Sequence, residues 1–150
     1  MEQISLSTSI FGRQLDLPFG VAPVAMQKLL HPEGEVLTAR EAFKQNCIFG
    51  VSIFSTRKLS EIMEVNSTGM KIHQFSKIEG KDIDKLITAI EELGFTAVTM
   101  SVDVQTYGKR RFEERSNFKP AAKLEIVDEL GLNLIYRSKK FVSKVYEFTW

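Results

Sequence analysis

Four apolar stretches recur along this sequence, and their spacing limits the possible fold more than any other feature. They cover residues 17–25, 48–52, 70–74 and 97–103. From Ala25 to Ser52 is 27 residues, from Ser52 to Gln74 is 22, and from Gln74 to Ser101 is 27. An interval of that size holds one strand, one loop and one helix. Strands alternating with helices build a parallel sheet with helical crossovers, closed into a barrel or left as an open doubly wound sheet. Neither GxGxxG nor GxxxxGK followed by Ser or Thr occurs, so the two commonest phosphate fingerprints of open sheets are missing. In a barrel, chemistry gathers at the C-terminal strand ends, where Ala25, Ser52, Gln74, Ser101 and Asp103 fall.

The intervals read as helices. Pro32 suits a first helical position, because its missing N–H costs nothing there. Glu33 and Glu35 follow where carboxylates favour the positive end of the helix dipole. Val36, Ala39 and Phe43 repeat at helical spacing, and Asn46 can close that helix in a left-handed turn. A shorter helix carries Leu59, Ile62 and Met63. The third has the clearest stripe, Ile83, Leu86, Ile87, Ile90 and Leu93, and Gly94 stops it. Residues 104–118 are polar and charged and read as an extended loop over the strand ends. Residues 124–132 read as a short helix, and residues 137–150 show no period.

The chain has 150 residues, read as one domain over 1–150, and 20 basic against 19 acidic groups give a net charge of +1. That balance argues against a nucleic-acid partner. No apolar run approaches the roughly 18 residues of a membrane helix, and residues 1–5 show no leader. Cys47 is the single cysteine, which excludes an intrachain disulfide and fits a reducing cytoplasm. His31 and His73 stand too far apart in sequence for an HExxH pair, so no metal site is expected. His31 reads as a helix-entry residue and His73 as a packed core residue. Ser52 lacks the second glycine of a nucleophile elbow. Lys109, Arg110, Arg111 and Arg115 interleave with Glu113 and Glu114. They read either as a self-paired surface or as the source of an arginine that clamps a substrate carboxylate.

Several stretches closely resemble one family, the FMN-dependent 2-hydroxy acid oxidases and dehydrogenases, which include glycolate and lactate oxidases. The first is Ala22-Pro23-Val24-Ala25-Met26-Gln27-Lys28, followed by His31-Pro32-Glu33-Gly34-Glu35 and Thr38-Ala39-Arg40. Ser52-Ile53-Phe54-Ser55-Thr56 and Glu61-Ile62 come next, then Gln74, then Ser101-Val102-Asp103, Gly108-Lys109-Arg110 and Asn117-Phe118. Order and spacing match over roughly residues 5–120.

The resemblance implies an α/β fold, a partial (β/α)₈ barrel of about the first four βα units, with FMN at the strand C-termini. It implies that the backbone around Val24 and Ala25 lies beside the flavin's reactive edge. Ser52, Gln74 and Ser101 would hydrogen-bond the flavin or its ribityl chain. Asp103 would orient the catalytic histidine, and Arg110 would bind the carboxylate of a small 2-hydroxy acid. Ser76 stands where the family usually has a substrate-touching tyrosine. Neither His31 nor His73 matches the family's catalytic histidine, and nothing matches the later strands. The expectation is therefore a chain with little turnover by itself. Its barrel would be completed by a second chain, or it would act as a non-catalytic half-barrel that self-associates, or it would be a gene remnant without function.

Overall fold

The computed structural model describes residues 4–76, 82–102, 109–118 and 123–131. Six strands occur among them: β1 Thr8–Ile10, β2 Arg13–Leu15, β3 Gly20–Val21, β4 Ile48–Ser52, β5 Lys71–Phe75 and β6 Ala97–Met100. The helices are α1 Glu35–Lys44, α2 Leu59–Val65, α3 Asp82–Glu92, α4 Arg111–Arg115 and α5 Glu125–Leu130, with a 3₁₀ turn at Gln27–Leu29.

β3 to β6 form one parallel sheet whose spatial order equals the chain order. That order separates the two architectures left open by the sequence. A doubly wound sheet reverses direction partway and covers both faces with helices. Here the strands advance in one direction, and α1, α2, α3 and α5 pack on one face.

Strand register assigns the two faces. Phe49 pairs with Lys71, Val51 with His73, and Phe75 with Met100. These side chains alternate towards the helices. Phe49, Val51 and Phe75 are buried in one core with Val36, Ala39 and Ala42 of α1, Leu59 and Ile62 of α2, Leu86 and Ile90 of α3, and Ile126 of α5. The other face carries Gly50, Ser52, Ile72, Gln74, Ala97 and Thr99, the positions a closed barrel turns inward. At β6 the helix-side cover stops: Val98 and Met100 are exposed, although their neighbours His73 and Phe75 are buried.

The helices follow the sequence with local corrections. α1 begins at Glu35, three residues after Pro32, because Gly34 adopts φ 55° and ψ −135° and forms the cap. Ala42 takes the core position expected of Phe43, which is partly exposed. Asn46 does close the helix with φ 44°. α3 carries the predicted stripe, and Gly94 ends it at φ 72°. The first apolar stretch yields a strand of only two residues, since Pro18 and Pro23 cannot donate to a ladder. The expected loop before residue 118 includes the single-turn helix α4.

The hairpin β1–β2 was not expected. Phe11 and Gly12 turn it with φ 49° and 73°, both positive as in a type I′ turn. Leu15 is buried, and Asp16 N–H donates to Asn46 O at 3.3 Å. The hairpin thus lies against the α1–β4 connection, at the N-terminal end of the parallel strands.

A close approach at Gly50 fixes how the chain leaves β3. A Cβ at Gly50 would stand 2.6 Å from Pro23 Cδ and 2.8 Å from Pro23 N. Gly50→Ala is therefore expected to push residues 22–24 off the sheet and to cost about 1–3 kcal/mol, read as a lower urea midpoint at unchanged m-value. A midpoint within error of the parent would refute the tight fit.

Candidate functional site

Three polar side chains meet where β4, β5 and β6 end. Ser52 is the last residue of β4, Gln74 lies opposite it in register, and Ser101 follows β6 directly. Ser52 Oγ donates to Gln74 Oε1 at 3.3 Å, and Gln74 Nε2 donates to Ser101 Oγ at 2.9 Å. Phe54 N–H donates to Ser52 Oγ at 3.2 Å, which holds the first hydroxyl from below. Ser101 itself is positioned by its own N–H, donated to Phe75 O at 2.9 Å. Ser52 is buried, Gln74 half-buried and Ser101 exposed, so the row rises from the sheet into the open.

The fourth strand end belongs to β3. Beyond it Val24 and Ala25 run exposed as irregular backbone, and Met26 turns into the left-handed region at φ 58°. Gln27 Nε2 donates to Val24 O at 3.3 Å, and Met26 N–H donates to Phe54 O at 3.3 Å. All five cofactor-side candidates, Val24, Ala25, Ser52, Gln74 and Ser101, therefore stand at successive strand ends on the barrel's C-terminal rim.

Arg110 is different. It is exposed and donates from Nη1 to Glu113 Oε1 at 2.9 Å, while Lys109 and Glu114 approach to 3.8 Å. The self-paired surface is the arrangement this structure holds. Asp103 and Gly108 lie outside the described residues.

Neither histidine is hydrogen-bonded to the Ser52–Gln74–Ser101 row. His31 is exposed and its Nδ1 accepts the Glu33 N–H at 3.2 Å. His73 points to the helix side of β5, is fully buried, and meets Phe95 edge-on at 5.7 Å between ring centroids. Burial holds its pKa down at about 4.

Two buried charged residues escaped the sequence reading. Lys71 opens β5 with no exposed surface, and its ammonium donates to the carbonyls of Asn66, Ser67 and Gly69. Burial, and then the nearby Arg13, bring its pKa down to about 8. It clasps the α2–β5 loop at the N-terminal end of the strands, where barrels keep stability rather than chemistry. Glu35, read only as a first-turn carboxylate, is buried and joins two rim loops. An isolated lysine or glutamate in sequence gives no sign of such burial.

The model of the family described as FMN-dependent dehydrogenase matches residues 1–142. The chain belongs to that family. FMN is the family's cofactor. Among curated relatives, glycolate oxidase 1 of Zea mays is 34% identical over 137 residues, covering 89% of this chain and 36% of the relative. Glycolate oxidase of Spinacia oleracea is 34% identical over 134 residues, covering 87% and 36%. Among solved structures, a mandelate oxidase superposes with a TM-score of 0.76 at 32% identity, over 83% of this chain and 38% of the other. A lactate oxidase of Pediococcus acidilactici superposes at 0.81 with 23% identity, covering 87% and 36%, a likeness of fold alone. The chain thus spans little more than a third of the length of these relatives, and its four-stranded sheet is part of a barrel.

The rim residues fit one edge of a flavin. A flat heteroaromatic ring presents donors and acceptors in its own plane. The Ser52–Gln74–Ser101 row offers hydroxyl and amide groups from three adjacent, rigid strand ends. Among the described residues, the second amide hydrogen of Gln74 and the hydroxyl hydrogen of Ser101 meet no acceptor, which leaves two donors for a ligand.

Proposed function

We propose that these residues form one flank of the FMN site of an enzyme that oxidises a small 2-hydroxy acid to the 2-oxo acid. The carrying observation is the hydrogen-bonded row Ser52–Gln74–Ser101 across three successive strand ends. Family membership and the similarity to glycolate and mandelate oxidases support the substrate class.

In this reading Gln74 and Ser101 donate to the flavin edge, and Ser52 fixes the Gln74 amide so that its N–H groups face outward. The backbone of Val24 and Ala25 lies beside the ring. FMN, when bound, supplies the acceptor for the hydride equivalent taken from the substrate carbon. Arg110 leaves Glu113 to bind the substrate carboxylate, and Asp103 orients a histidine that takes the hydroxyl proton. With His73 sealed behind the sheet and His31 turned to Glu33, that histidine comes from residues beyond these 150, in the same polypeptide or in a second chain that completes the barrel. The exposed Val98 and Met100 and the outer edge of β6 are where the completing part docks.

The reading is tested by titrating the protein with FMN while following flavin fluorescence, beside size-exclusion chromatography and an assay with glycolate and lactate. Saturable quenching without turnover is expected. Absence of quenching would remove the flavin site, and turnover by these 150 residues alone would refute the external histidine. Where the completing part is present, Arg110→Ala is expected to raise KM at least tenfold; unchanged steady-state kinetics would exclude the clamp.

A further inference from the structure

We propose that Glu35 and Gln27 are positioning residues that hold the Val24–Ala25 backbone in place for the flavin. The inference rests on the flavin-site reading above and extends it to side chains that do not themselves reach the rim surface.

The connection that follows β3 has little secondary structure to steady it. It contains a left-handed Met26, a conformation unfavourable for a non-glycine residue. Besides the Met26 N–H bond to Phe54 O, a buried carboxylate holds it. Glu35, at the start of α1, is 1% exposed. Its Oε1 accepts the N–H of Gln27 at 3.0 Å and the N–H of Thr56 at 3.0 Å. Its Oε2 accepts the Thr56 hydroxyl at 2.7 Å, and Thr56 Oγ1 in turn accepts the Lys28 N–H at 3.1 Å. The loops after β3 and β4 are therefore joined to each other and to one buried group on the helix between them.

Gln27 carries the restraint onward. Its Oε1 accepts the Thr38 hydroxyl of α1 at 2.6 Å, which fixes the amide's orientation. Its Nε2 then donates to Val24 O. With that carbonyl directed into the loop, the Ala25 N–H of the same trans peptide points the opposite way. A chain of hydrogen bonds thus runs from the interior of α1 to the residues that lie beside the ring. Such a restraint costs nothing at the moment of ligand binding, since the geometry is already formed.

The geometry predicts how substitutions separate. Glu35→Gln puts an amide N–H₂ where two N–H donors and a hydroxyl converge, so at least one donor is left unmatched. Gln27→Met keeps the volume of a half-buried side chain and removes both of its bonds. Both variants are expected to raise amide hydrogen exchange at residues 26–28 by about tenfold in the FMN-free protein, with the amides of β4 and β5 unchanged. Both are expected to weaken FMN binding about tenfold, the worth of one well-made hydrogen bond, and to shift the visible flavin band of the complex. Thr38→Val, which spares the Val24 bond, is expected to show a smaller effect in the same direction.

Faster exchange with FMN affinity and spectrum unchanged would overturn the positioning role, and unchanged exchange in Gln27→Met would overturn the restraint itself. If Glu35→Gln fails to fold, Gln27→Met decides. If the parent protein shows no flavin quenching, the flavin-site reading and this role fall together, while the exchange data still report whether Glu35 holds the loop.

Discussion

Lowering the pH from 7 to 4 is expected to destabilise this fold by about 3 kcal/mol through His73 alone. The ring has no exposed surface, and among the described residues neither nitrogen has a hydrogen-bond partner. Burial therefore lowers its pKa from 6.5 to about 4. The unfolded chain takes up a proton as the pH falls through 6.5, whereas the folded chain resists until about 4. This contribution is complete above pH 6.5 and is lost progressively between 6.5 and 4. Below 4 both states carry the proton and the loss stops growing. His73→Phe keeps a ring against Phe95 and removes the titration. Urea midpoints at pH 7, 5.5 and 4.5 check this: the parent should lose stability more steeply than His73→Phe, which should also be at least as stable at pH 7. Parallel acid profiles would mean that the folded protein accommodates the imidazolium.

The strand and helix alternation was legible because burial imposes it on the side chains. β4 and β5 send one face into the helices, and α3 must turn Leu86 and Ile90 inward, so apolar residues repeat at the required spacing. What was not legible was set by single backbone or polar events. Gly34 moved the start of α1, and two prolines shortened β3. The β1–β2 hairpin rests on a turn whose first residue is Phe11, a poor choice for positive φ, so the local signal was weak. Lys71 and Glu35 look like surface residues in any window of sequence, since their burial depends on loops that arrive from elsewhere in the chain. The rim was the converse case. Ser52, Gln74 and Ser101 carry no motif as separate residues. Only the resemblance grouped them, and the strand register brings them within hydrogen-bonding distance of each other. Arg110 was drawn by the same resemblance towards a substrate, whereas its local charges draw it to Glu113.

Replacing Gln74 by leucine is expected to weaken FMN binding about a hundredfold while leaving the fold in place. Gln74 is the central member of the row, and its amide bonds to both hydroxyls. Leucine deletes the donor that the proposed site assigns to the flavin and also the donor that bonds Ser101. Two such bonds at roughly 1.4 kcal/mol each give a factor near one hundred. The side chain is half-buried, so stability should fall less, by about 1 kcal/mol for the acceptor that Ser52 loses. Gln74→Glu separates shape from donor chemistry. Its carboxylate can still accept from Ser52, and Ser101 can turn its hydroxyl to donate, so the row survives. No N–H then remains for the flavin, and a negative charge sits beside it. Both variants should therefore bind FMN poorly, Ser101→Ala should lose only about tenfold, and all three should retain the parent's urea transition to within about 1–2 kcal/mol. Normal FMN affinity in Gln74→Glu would show that the row shapes the rim without donating to the ring. The flavin contact would then have to be assigned to the backbone of Val24 and Ala25, which neither substitution touches.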